Sequence, residues 1–147
     1  MLIAALPTQA EGDELPFYGS LRADEVNVRK GPGTRYPISW VFKKEGYPVK
    51  VLTQHLNWYQ IRDPEGEEGW VYKNFVSRRH NVIIDGDSPA PMTKDIEGQK
   101  PLARLEPGVI GALEKCVSAH CLVTAGHVKG WVHRQHLGML GDNPPTN

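Results

Sequence analysis

Apolar and polar residues alternate one by one over several short stretches of the chain, and the alternation is clearest around two tryptophan-bearing segments. In "NWYQIR", Tyr59 and Ile61 fall on one face while Trp58 and Gln60 fall on the other. In "GWVYKNFV", Val71 opposes Trp70 and Tyr72. A period of two is that of a strand with one buried face, so Tyr59, Ile61 and Val71 are expected in a core. Earlier in the chain, "VNVRKGPGTRYP" sets Arg29 and Lys30 beside a Gly31-Pro32-Gly33 turn, which raises the question of a phosphate cradle. Such a cradle needs a helix to open after the glycines. The chain instead continues through Thr34, Tyr36, Pro37, Ile38, Trp40, Val41 and Phe42, a β-branched and aromatic run that reads as extended chain and turns.

The pattern repeats. Trp40 to Val76 can be laid on Leu102 to Leu137: Gly46 falls on Gly108 and Val51 on Leu113, and Gly69-Trp70-Val71 falls on Gly130-Trp131-Val132 one residue out of step. Both copies read as strand, glycine turn, strand, hairpin, then Gly-Trp-Val opening a last short strand. Gly46 and Gly108 are placed to supply the positive φ of a turn. The link from Asp63 to Gly69 reads as a turn whose charges form a solvated tip. Between the copies, Ile84 to Leu105 carries three prolines and reads as a long loop bounded by strands.

Composition agrees with many short elements, with 15 glycines and 12 prolines in 147 residues. Lys and Arg, 17 together, balance 17 Asp and Glu, so no global field steers the chain toward nucleic acid or an anionic membrane. No apolar run reaches the roughly twenty residues of a membrane-crossing helix. The opening "MLIAALPTQA", residues 1–10, resembles the tail of a secretory signal cut after Ala10, although no basic residue precedes its apolar stretch. A frayed terminus is the alternative. Cys116 and Cys121 are the only cysteines. An exported chain makes them a disulfide across a tight hairpin, a cytosolic one two thiols, and spacing alone does not choose.

"VNVRKGPGTRYPI" followed by "NWYQIRDPEGEEGWVYKNFV" resembles the bacterial SH3 (SH3b) family, through the Asn-Val-Arg-x-Gly-Pro-Gly corner, the Trp-x-x-Ile strand and the late Gly-Trp-Val. The resemblance covers residues 17–79 well and 80–141 more loosely, with His120-Cys121 where the first copy has Trp58-Tyr59; residues 142–147 are left as a flexible tail. It implies an all-β fold of two tandem small SH3-like barrels, each partly open and of about five strands. Gly31-Pro32-Gly33 then turns the first long loop, with Val26 and Val28 inward and Asn27 or Arg29 tying the loop to the body. It also implies a shallow groove lined by Trp58, Tyr72 and Phe75, with Tyr36 and Trp40 from the first loop region. Aromatic rings suit peptide or sugar, and the implied ligand is cell-wall peptide or another envelope component. A periplasmic or secreted location, no enzymatic activity and no cofactor complete this reading. A structural scaffold, or an accessory factor that targets or activates a cell-wall hydrolase, is the alternative.

Three other chemistries fit less well. Zinc would draw on Cys116, His120, Cys121, His127, His133 and His136, but their spacing matches no zinc pattern, and a disulfide with surface histidines is preferred. A cysteine nucleophile would need Cys121 free beside a histidine. Nucleic-acid binding could use Arg78, Arg79 and His80 with the Val28-Arg29-Lys30 run, and the neutral charge argues against it. The second barrel is expected to pack on the first and enlarge a shared core, with Cys116 and Cys121 locking its hairpin.

Overall fold

The computed structural model describes residues 14–146, so the expected signal remnant at residues 1–10 lies outside the described residues. The all-β expectation holds. Among the described residues, fourteen strands form two antiparallel sheets of seven. The first contains β1 (Phe17–Leu21), β2 (Val26–Arg29), β3 (Ile38–Phe42), β4 (Pro48–His55), β5 (Trp58–Arg62), β6 (Glu68–Tyr72) and β7 (Val76–Ser77), in the order β3-β2-β6-β5-β4-β1-β7. The second contains β8 (Asn81–Ile84), β9 (Ala90–Thr93), β10 (Pro101–Leu105), β11 (Ile110–Val117), β12 (His120–Ala125), β13 (Val128–His133) and β14 (Leu137–Gly138), in the order β10-β9-β13-β12-β11-β8-β14. Position for position the two orders are the same. A 3-10 turn precedes the last short strand of each, Lys73–Phe75 in one and Arg134–His136 in the other.

The likeness extends to local geometry. The long second hairpin shifts register between Val51 and Thr53 in one sheet and between Leu113 and Lys115 in the other. Its tips hold Leu56 at φ 52° and Ser118 at φ 53°. Gly46 and Gly108 take φ 83° and 90°, the conformation expected of them, and their amides donate to Leu21 and Ile84 carbonyls at 2.8 Å.

Alternation sorts each strand into two faces. On β5, Tyr59 and Ile61 are buried between half-buried Trp58, Gln60 and Arg62, and on β6 Val71 is buried between Trp70 and Tyr72. Each fully buried Val or Ile contributes roughly 1.5–3 kcal/mol by leaving water. The glycine of each Gly-Trp-Val triplet has a steric cause. A Cβ on Gly69 would meet Val28 and Trp40, and one on Gly130 would stand 2.5 Å from Met92 Cγ. The second strand of each sheet crosses there too closely for any side chain.

Four expectations change. The segment Ile84 to Leu105 is not a loop but contains β9 and β10, the counterparts of β2 and β3. Its prolines fit because Pro101 begins an edge strand and Pro91 lies beyond the stretch of β9 that pairs with β13. The hairpin between them is closed by Asp95, whose carboxylate accepts from the amides of Gln99 at 3.1 Å and Lys100 at 2.7 Å. In the Asp63–Gly69 link, Asp63 is buried rather than solvated, and its Oδ1 accepts from the amides of Glu65 and Glu67, both at 2.9 Å. The C-terminal residues return to the sheet, where Cys116 N donates to Pro145 O at 2.7 Å.

The fourth change concerns the core. Among the described residues there are two clusters of buried residues, one built on Leu21, Val28, Val51, Ile61 and Val71, the other on Val82, Met92, Cys116, Val123 and Val132, and none of those buried residues belongs to both. The sheets meet instead through a small polar and aromatic joint. Tyr18 and His80 stack with ring centroids 5.1 Å apart and planes 7° from parallel. His80 Nε2 bonds to Met139 O at 2.8 Å, and Asn81 Nδ2 donates to Gly46 O at 2.7 Å. Burial lowers the pKa of His80 below the ordinary imidazole range, partly offset by the bond to Met139.

Candidate binding groove

The outward face of the first sheet carries a concavity of about 570 Å³. Because Val26 and Val28 point into the core, the alternate residues of and just before β2, Glu25, Asn27 and Arg29, face outward and form one wall. The same parity on β5 and β6 turns Trp58 and Tyr72 outward, directly opposite each other in the ladder. Their rings meet edge to face, centroids 5.8 Å apart, and Phe75 from the 3-10 turn follows at 6.2 Å from Tyr72. Gly33 and Thr34 of the first long loop close one end.

Of the two residues expected to tie that loop to the body, Arg29 does so. Its Nη1 donates to Thr34 O at 3.1 Å and to Tyr36 O at 2.9 Å. Gly31-Pro32-Gly33 makes the corner, with Tyr36 N donating to Gly33 O at 3.2 Å. Gly31 is required by contact: a Cβ there would stand 2.5 Å from Tyr36 Cδ1.

Of the five residues expected in the groove, three are brought together and two are not. Trp58, Tyr72 and Phe75 line it, whereas Tyr36 and Trp40 are absent from its lining. Tyr36 folds back over Gly31, and Arg35 covers its ring at 5.1 Å from the centroid. Trp40 pairs with Val28 across the β2–β3 ladder and so shares the core side; it packs edge to face with Phe42 at 5.8 Å. The polar wall begins with Glu25, which no motif marks; only the parity of Val26 and Val28 could have pointed to it.

Residues 22–78 match the family described as the bacterial SH3 domain. YrvJ of Bacillus subtilis (strain 168), named as an N-acetylmuramoyl-L-alanine amidase, is 38% identical over 72 residues, which are 48% of this chain and 12% of that protein. The chain therefore spans about an eighth of that relative's length. Residues 22–78 form a bacterial SH3 domain. Among solved structures, NlpC1 and NlpC2 from Trichomonas vaginalis cover 93% and 86% of this chain and 50% and 49% of their own, at 12% and 11% identity and a TM-score of 0.39 each.

The second sheet lies beyond the residues matched to the bacterial SH3 domain, and its outward face differs. His120 and His133 are opposite each other in the β12–β13 ladder, as Trp58 and Tyr72 are in β5–β6. His136 sits in the 3-10 turn where Phe75 sits in the first. The ring centroids are spaced similarly, 5.1 Å and then 6.4 Å. The histidine nitrogens do not converge: His133 Nδ1 accepts from Gln135 N at 3.1 Å, and His120 Nε2 lies against Gly98. Among the described residues, no group of three or more His, Cys, Asp or Glu is arranged to hold a metal ion. Cys116 and Cys121 are directly paired in the β11–β12 ladder and form a disulfide, which removes the thiolate a nucleophile would need.

Proposed function

We propose that the protein is a non-catalytic binding module of the bacterial cell envelope, exported to the periplasm or beyond, whose first barrel takes cell-wall peptide in the groove. One observation carries this reading: Trp58, Tyr72 and Phe75 present three adjoining rings opposite the polar row Glu25, Asn27 and Arg29. Flat apolar area gives affinity at small entropic cost, and the polar row gives direction to an extended chain. The partial match to a protein named as an N-acetylmuramoyl-L-alanine amidase supports the wall as the place of action. The disulfide supports an oxidising compartment. The same match favours a second reading, in which the module brings a wall hydrolase to its substrate or activates it.

Co-sedimentation with purified cell wall tests the first reading. The native protein is expected in the pellet, and Trp58→Ala is expected to bind at least about ten-fold more weakly, a loss of about 1.4 kcal/mol, with an unchanged melting profile. Equal binding by Trp58→Ala and the native chain would refute the groove. The second reading is tested by the rate of a wall hydrolase with and without the protein; no change in rate would set it aside.

A further inference from the structure

The 3-10 turn that gives Phe75 to the groove gives Lys73 and Asn74 to a second concavity, of about 450 Å³, that no part of the proposed function uses. Its lining includes three cationic side chains, Arg22, Lys73 and Arg78, and no acidic residue among those described. Lys and Arg only balance Asp and Glu in the whole chain, so this is a local concentration and not a general basicity. Phe17, Tyr59 and Val76 line it beside them. Arg78 lies over the Phe17 ring at 4.1 Å from its centroid, an arrangement that fixes the place of the guanidinium. Arg22 is held by its amide, which donates to Phe75 O at 2.8 Å, and by Nε, 3.4 Å from Val76 O.

The second sheet shows that the fold does not require these cations. There the amide of Asp85 donates to His136 O at 2.8 Å, in the place of Arg22 on Phe75 O. Two residues beyond the buried residue of its closing strand stands Met139, where the first sheet has Arg78. Only Lys73 keeps its charge, as Arg134. Gathering like charges in one concavity costs repulsion, and a cleft lined by one sign focuses its field on a ligand of the other.

We propose that this concavity is an oxyanion site, in which Arg22 and Lys73 bind a phosphate or carboxylate group with Asn74 as a neutral donor beside them. A guanidinium presents paired donors to either group, and an ammonium adds a point charge. The site is independent of the aromatic groove, since Trp58 takes no part in it.

The test is a titration of the full chain, followed by amide NMR, with sodium phosphate and separately with sodium acetate, chloride keeping the ionic strength constant. Saturable shifts are expected at Arg22, Lys73 and Asn74, and not at Asp85, Arg134 and Gln135. Response to one anion alone would support the site and name the group it takes. Arg22→Gln combined with Lys73→Gln should weaken binding at least about ten-fold while leaving co-sedimentation with cell wall intact; Lys73→Gln alone should give a smaller loss. No saturable shift with either anion, or shifts unchanged in the double variant, would overturn the proposal.

Discussion

Trp58, Tyr72 and Phe75 in the first sheet and His120, His133 and His136 in the second stand at the same three places of one strand plan. The backbone agrees down to the bulge, the hairpin tip and the 3-10 turn, yet one face offers aromatic area and the other imidazoles. The inward positions changed less. Ile61 and Val71 are matched by Val123 and Val132, all buried. Where Tyr59 fills its core and meets Phe17 edge to face at 5.7 Å, the second sheet has Cys121, joined to Cys116 under the cover of the Pro145 segment. Side chains facing inward must fill a fixed volume, whereas those facing outward are free of that packing constraint. The difference between the sheets is therefore concentrated on their outward faces.

The sharpest way to break the comparison is through the separate cores. Ile61→Ala should cost the first sheet about 2–5 kcal/mol, as large-to-small core changes do, and leave hydrogen-exchange protection of β11–β13 unmoved. Parallel loss in both sheets would restore a shared core. Next in size, reduction of Cys116–Cys121 should destabilise the second sheet alone, by about 2 kcal/mol for so short a closed loop, read as a calorimetric transition that shifts under reductant. Exchanging the faces comes third. Trp58→His with Tyr72→His and Phe75→His should abolish co-sedimentation with cell wall, while His120→Ala should leave it within about two-fold.

The smallest effect concerns the joint. His80 has a folded-state pKa below its unfolded value because burial disfavours the imidazolium, so the unfolded chain binds more protons between the two values and acid favours unfolding. The contribution is complete above about pH 6.5 and is lost as pH falls from there through the folded pKa. Stability measured across that window should fall in the native chain and fall less in His80→Gln, with the Tyr18 environment reporting the change. An identical pH profile in the two proteins would show that the stack carries no such dependence.

The sequence by itself determined which residues are inside. A period of two at Tyr59, Ile61 and Val71, glycine at the turns closed by Gly46 and Gly108, and the Gly-Trp-Val triplets are local requirements of a pleated strand or a left-handed turn, so they are legible residue by residue. The family resemblance carried by the Gly-Pro-Gly corner also placed Trp58, Tyr72 and Phe75 in one groove. Tertiary structure alone decided the rest. Trp40 and Tyr36 are aromatic and near the turn, but ladder register put one on the core side with Val28 and ring contact laid the other on Gly31. The strands β9 and β10 are hidden by prolines that the sheet accommodates because Pro101 begins the edge strand and Pro91 lies beyond the stretch of β9 paired with β13, and the choice of two cores over one rests on Tyr18, His80 and Asn81 meeting across the joint. These outcomes depend on partners far along the chain, and no local pattern records which partner a side chain will face.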